Sequence, residues 1–281
     1  MLGIDGLTVS KEAVREFWEA AGCGERLLLP SFDRAGFAQQ ANERYRLEPF
    51  IERFAKFPYW RDRRVLEIGV GLGADHQRFV EVGAQTCGID LTPRAVKLCR
   101  QRLAAFGLES DVKVGDAERL PYDADMFDLV WSWGVLHHSP DPSAAVREIH
   151  RVLKPGATAK VMIYHKWSIV GCMLWLRYAL LRGRPWTSMS SIYARYLESP
   201  GTRAYTIPEA QALFSRFARV RIETVLTHGD LLASDAGQRH RGILLSLARL
   251  LWPRRLIARL LPGAGLFMLV EATKSEATNT K

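Results

Sequence analysis

The 281-residue sequence predicts an α/β fold, a parallel sheet with helices on both faces, and three observations carry that expectation. From Arg64 onward short apolar runs alternate with stretches of helical length, which is the pattern of βαβ units. Two of the intervening helices open on one device, a side-chain N-cap followed by proline in the first turn, at Thr92-Pro93 and at Asp141-Pro142. The first apolar run empties directly into a turn spaced by glycines. With 48% hydrophobic and 25% charged residues the chain can bury a sizeable core, which excludes a disordered chain, a collagen-like repeat and a disulfide miniprotein.

Taken in order, residues 11–21 and 35–57 read as helices. The second carries an aromatic-rich stripe (Tyr45, Phe50, Phe54, Phe57), and Pro49 should kink or interrupt it. Strands are expected at 65–68, 86–89, 112–114, 127–131 and 159–164. Helices fall between them at 75–82, 93–106 and from Pro142 to about residue 153, where Lys154-Pro155-Gly156 ends the last. The alternation lapses over 166–203, a stretch that is apolar, basic and rich in Trp and Tyr. It resumes at Thr206-Ile-Pro-Glu209, a capping box opening a helix to Phe217. Residues 220–226 and 266–273 are the last two strands. Between them a basic stretch is split by Pro253, and its second half places Leu256 with Leu260 and Ile257 with Leu261 one turn apart, an amphipathic helix. The tail, 274–281, is polar and expected to fray.

The net charge is +9, and its placement matters more than its size. Five basic residues and no acid lie between Lys166 and Leu197, and six with no acid between Ala236 and Val270, so these two segments carry more than the whole surplus. A surface of that kind attracts phosphate groups of lipid or nucleic acid. Cys23, Cys87, Cys99 and Cys172 form no CxxC pair, so neither a zinc site nor a disulfide framework is expected, only reduced thiols. The first ten residues do not read as a signal peptide, and no apolar run reaches the ~20 residues of a membrane span. The expectation is a cytoplasmic protein, peripheral at the inner membrane surface if the basic segments touch lipid.

The most specific feature is Val65-Leu-Glu-Ile-Gly-Val-Gly-Leu-Gly-Ala74, a strand running into glycines 69, 71 and 73 and then a helix. Glycines there allow a sharp turn and a close ligand approach at the carboxyl end of the first strand. Gly88-Ile89-Asp90 ends the second strand with an acid able to accept both hydroxyls of a ribose. The G-x-G-x-G spacing beside Glu67 implies no pyrophosphate and suits a ligand with an ammonium or sulfonium charge.

Glu67-Ile-Gly-Val-Gly-Leu-Gly73 resembles motif I of the class I S-adenosylmethionine (SAM)-dependent methyltransferases. Gly88-Ile-Asp-Leu91 resembles their ribose-binding motif, and Gly115-Asp-Ala-Glu-Arg-Leu-Pro121 the loop whose acid contacts the adenine amino group. Phe127-Asp-Leu-Val-Trp-Ser-Trp-Gly-Val-Leu-His-His138, with His150-Arg-Val-Leu-Lys-Pro-Gly156, is similar to the type 11 subgroup, which includes ubiquinone/menaquinone-type enzymes. The match spans roughly residues 60–165. It implies a Rossmann-like seven-stranded sheet and SAM as cofactor, with a helical N-terminal cap (1–60), a SAM-binding core (61–165), a substrate-side insertion after the fifth strand (166–205) and a C-terminal part of the same domain (206–281). It further implies that Gly69, Gly71, Gly73 and Glu67 face the methionine portion, that Asp90 holds the ribose with Leu91 beside the adenine, that Asp116 and Ala117 read the adenine edge, and that backbone around Trp133 lies near the methionine amine.

Methyl transfer from a sulfonium is an in-line displacement that needs alignment, exclusion of water and sometimes a base. Candidate bases at the ends of strands four and five are His137, His138, Tyr164 and His165, with His165 favoured; His76 and His150 read as structural. An Asn or Asp followed by Pro-Pro and an aromatic, the signature of amino-group methylation, is missing after strand four, where Ser132-Trp-Gly-Val135 stands. The two variable segments, 35–57 and 166–203, are expected to cover a small, apolar or amphiphilic, lipid-like acceptor. An RNA methyltransferase using the basic surface and a non-catalytic SAM-fold partner subunit are the alternatives. No metal is called for.

Overall fold

A computed structural model describes residues 9–233 and 251–277. The chain begins with four helices, α1 (Lys11–Ala20), α2 (Glu25–Leu28), α3 (Arg34–Leu47) and α4 (Phe50–Ala55). α1 and α3 start where Ser10 and Asp33 accept hydrogen bonds from backbone N–H groups three residues on. The helix expected over 35–57 is two, broken at Glu48-Pro49 because proline has no N–H to give the turn before it. Then follow β1 (Arg64–Ile68), α5 (Ala74–Glu81), β2 (Gln85–Asp90), α6 (Pro93–Ala105), β3 (Asp111–Val114), β4 (Phe127–Trp133), α7 (Pro142–Val152) and β5 (Leu153–Tyr164). Thr92 and Asp141 cap α6 and α7 with proline in the first turn, as expected.

The inserted segment holds α8 (Ile169–Tyr178) and α9 (Met189–Tyr196), capped by Ser168 and Ser188. α10 (Ile207–Leu213) opens on the full capping box between Thr206 and Glu209. β6 (Arg219–Val225), α11 (Arg254–Leu260) and β7 (Phe267–Thr273) complete the described elements. Among the described residues no helix is long and apolar enough to cross a membrane.

The seven strands lie in the order β3-β2-β1-β4-β5-β7-β6. The first five are mutually parallel, and β7 runs antiparallel to both β5 and β6, so the seven-stranded Rossmann-like sheet with helices on both faces is as expected, with one strand reversed. A parallel pair needs a crossover to the opposite end of the sheet. After β6 the described chain stays at the carboxyl end, where α11 lies, so β7 re-enters from that end and runs back down between β5 and β6.

Both faces of the sheet are covered. Leu66, Ile68, Val130, Val161 and Ile163 meet Val146, Ile149 and Val152 of α7 and Ala210 of α10. Val65, Leu129 and Trp131, on the opposite face by strand alternation, meet Ile51 and Ala55 of α4, Phe57 and Phe79. Burying each such large side chain contributes roughly 1.5–3 kcal/mol, so the N-terminal helices are a layer of the core. The strand order reverses between β1 and β4. Their carboxyl ends therefore part into a crevice, the place where open α/β sheets hold ligands.

Candidate cofactor and acceptor site

The three glycines of the loop after β1 all have positive φ, at 80°, 50° and 75°, yet they do different work. A Cβ on Gly69 would lie 2.1 Å from Val135 Cγ2, and one on Gly73 would lie 2.8 Å from Cys99 Sγ, so these two let the loop press on the β4 turn and on α6. A Cβ on Gly71 would meet nothing within 4 Å. It borders open space, which fits a ligand lying along the loop. Arg102, fully buried in α6, donates to the Leu72 carbonyl at 2.6 Å and to Gln77 and Gln40, fastening the loop to α5 and α3 at once.

Asp90, at the end of β2, accepts from the Thr92 N–H and hydroxyl through one oxygen and from the Gly71 N–H through the other. A carboxylate has about four acceptor sites, so one remains, on the oxygen that takes the Gly71 N–H, for a ligand hydroxyl. Leu91 follows it, half-buried. Asp116 accepts from the Glu118 N–H and is ion-paired with Lys11 of α1, which also reaches Glu118; Ala117 packs against the core. Trp18 of the same helix lies edge-on to His138, ring centroids 5.1 Å apart. α1 thus roofs the crevice, from the end of β3 to the turn after β4.

Glu67 is buried and sits 3.0 Å from His76 Nδ1. Ser110 spends its hydroxyl hydrogen on the Thr86 carbonyl, so it accepts from His76 Nε2–H, and one proton is shared between Glu67 and His76 Nδ1. Burial raises the Glu67 carboxyl well above the usual range and pushes the His76 imidazole down to about 4, which places that proton on Glu67 and makes the pair neutral.

The charge beside the loop comes from groups that the sequence did not single out. Asp75 opens α5 in full burial and takes Arg44 in a two-pronged pair at 3.1 and 2.7 Å, with Tyr45 O–H and Trp131 Nε1–H also donating. Arg44 also approaches Glu48 and lies 5.9 Å from the centre of the Trp133 ring, which stacks on Trp131. Burial raises the Glu48 carboxyl to about 7. Charged residues on a helix mostly mark a solvated face, and nothing in the sequence distinguishes Arg44 and Glu48 from their exposed neighbours.

The ends of β4 and β5 bring His137, His138 and Tyr164 together. The His137 ring lies against Tyr164 with centroids 3.9 Å apart. Tyr164 donates its hydroxyl to Glu198 at 2.7 Å, and His138 Nε2 is 3.3 Å from that same carboxylate oxygen. Burial and Glu198 raise the Tyr164 phenol far above its ordinary value, so it is a donor and not a base. Glu198, in the turn after α9, was missed because only the folding of the insertion over β5 carries it here. His165 alternates to the other side of the strand. Its ring meets the Gly265 carbonyl at 3.2 Å, apart from the other three.

A family model described as a methyltransferase domain of type 11 matches residues 66–160. The ubiquinone biosynthesis O-methyltransferase of Xanthomonas axonopodis pv. citri is 38% identical over 94 residues, covering 33% of this chain and 39% of that protein. Norajmaline N-methyltransferase of Rauvolfia serpentina is 39% identical over 119 residues, covering 40% of each. The chain spans about two fifths of the length of these curated relatives. Among solved structures, the phosphoethanolamine N-methyltransferase 2 of Haemonchus contortus aligns with a TM-score of 0.57 at 18% identity, covering 94% of this chain and 60% of that one.

Proposed function

We propose that this chain, whose residues 66–160 form a class I SAM-dependent methyltransferase domain of type 11, methylates a small apolar or amphiphilic acceptor. The observation that carries the reading is the convergence of the open Gly71, Asp90 and the His138–Tyr164–Glu198 group at the carboxyl ends of β1, β2, β4 and β5. Bound there, SAM supplies a methyl group on a positively charged sulfur. In this reading Asp90 holds the ribose, Leu91 flanks the adenine, and Asp116 with the Ala117 backbone meets its edge. Gly69, Gly71, Gly73 and Trp133 border the amino-acid portion, Arg44 faces its carboxylate and Glu48 its positive groups, while Glu67, neutral with His76, backs the loop. His138 and Glu198 border the acceptor, Tyr164 orients Glu198, and His165 positions the β5 end from its far side.

Calorimetric titration with SAM and S-adenosylhomocysteine (SAH) tests the cofactor half. Micromolar binding by the wild-type protein, lost in Asp90→Ala with the fold intact by circular dichroism, is expected; a folded wild-type protein that binds neither would defeat the reading.

The acceptor class rests on the surface beside the site. α11 buries none of its residues, leaving Leu256 56% and Leu260 65% exposed next to Arg255 and Arg259. Trp186, 79% exposed, and Leu181 stand out from the insertion among Arg177, Arg182 and Arg184. The two segments meet at Asp230, which accepts from the Val170 and Leu266 N–H groups while its carbonyl accepts from Trp252. Apolar side chains ringed by arginines fit an anionic lipid surface from which an amphiphilic acceptor is drawn. The basic residues Arg239, Arg241 and Arg249 lie outside the described residues.

A further inference from the structure

His137, His138 and Glu198 each offer one donor atom within 4.8 Å of the other two. His137 is fully buried, and neither of its ring nitrogens has a hydrogen-bond partner; His138 Nε2 has none either. An unpaired buried polar group costs about 1–3 kcal/mol, so two imidazoles with open nitrogens turned to one carboxylate need an explanation.

The neighbours of His138 sharpen it. His138 Nδ1 lies 2.8 Å from Ser199 Oγ and 3.1 Å from the Thr202 hydroxyl, which itself donates to the Ser199 carbonyl at 2.7 Å, so two hydroxyls hold this side of the ring. The other ring nitrogen, Nε2, faces Glu198 Oε2 at 3.3 Å. A cation placed between that nitrogen, the carboxylate and the unpartnered His137 ring would satisfy all three groups at once. Two of the three are held from behind, His138 by the two hydroxyls and Glu198 by Tyr164 O–H, as metal ligands are.

We propose that His137, His138 and Glu198 bind one divalent transition-metal ion. Two imidazoles and a carboxylate suit the first-row ions that take nitrogen and oxygen donors, zinc, iron(II), cobalt(II) or manganese(II). Bonds of about 2.0–2.2 Å bring such donors closer together than they stand here, a closure that rotation of the His137 ring and of the Glu198 side chain supplies. Three protein ligands leave a coordination position open, where an oxygen of the acceptor binds. That last role rests on the methyltransferase reading, whereas binding of the ion rests on the side chains alone.

The test is cobalt(II) added to the full-length protein after dialysis against a chelator, followed by visible absorption, with SAH affinity measured on the same samples. One equivalent per chain with the intense bands of a low-coordinate site is expected, displaced by zinc. Glu198→Gln and His137→Gln should each weaken uptake by about tenfold or more while circular dichroism and SAH binding stay at wild-type values. A wild-type protein that takes up no cobalt, or equal uptake by wild type and both variants, overturns the metal site and leaves the cofactor reading intact. Loss of SAH binding by the wild type would overturn that reading and not this one.

Discussion

At the scale of single residues, the glycine loop separates positions that sequence spacing makes look alike. Gly69→Ala drives a methyl group into Val135 at a left-handed backbone position, and a loss of about 3 kcal/mol or more is expected in chemical denaturation. Gly71→Ala meets no atom, so about 1–2 kcal/mol of backbone strain is its whole folding cost. Its methyl group instead fills ligand space, and SAH affinity should fall about tenfold in titration, or 1.4 kcal/mol. Glu48 sets a pH dependence. Its native value near 7 lies above the unfolded one, so the native state keeps a proton up to that pH. Its stabilising share is therefore complete below the unfolded value and lost as pH rises through 7. The carboxylate formed above pH 7 attracts a sulfonium. SAM affinity relative to uncharged SAH should rise roughly tenfold between pH 6 and 8, and Glu48→Gln should flatten that rise.

At the scale of elements, the N-terminal helices are joined to the site by charge as well as by packing. Asp75→Ala takes a buried carboxylate from half-buried Arg44, which keeps Glu48 as a partner, and losing such a charge-assisted pair costs up to about 3 kcal/mol. Thermal and denaturant unfolding of D75A should show that loss together with loosening of α3. α1 is held differently, because Lys11 and Asp116 are each about one-third exposed. Such a pair adds at most about 1 kcal/mol, so Lys11→Ala should leave the melting temperature nearly unchanged. It removes a pin of the roof, and faster SAH release in stopped-flow measurements is expected; an unchanged rate would mean that α1 does not cover the ligand.

At the scale of the whole molecule, the insertion and α11, the described parts of the two basic segments, border one end of the sheet. Phosphatidylglycerol vesicles should co-sediment the protein at low salt, with binding falling as ionic strength rises. Leu256→Ser with Leu260→Ser should weaken the binding without a change in unfolding, since neither side chain is buried. An amphipathic pattern in sequence reports only that a helix has an apolar side. That this side stays uncovered is decided by what packs nearby.

The sequence by itself determined the alternation of elements, the helix starts, the break at Pro49 and the place of the glycine loop. Each of these follows from short-range chemistry: a cap reaches three residues, proline lacks its own N–H, and glycine relieves its own φ. Only the tertiary structure decided that β7 runs antiparallel, that Arg44 and Asp75 meet beneath the loop, that Glu67 is spent on His76, and that Glu198 from the insertion joins His137, His138 and Tyr164 while His165 turns away. These are contacts between residues 9 to 115 positions apart, beyond neighbouring turns, so no local spacing encodes them. The burial that empties a carboxyl of its charge or leaves an imidazole unpaired exists only once the layers have closed around it.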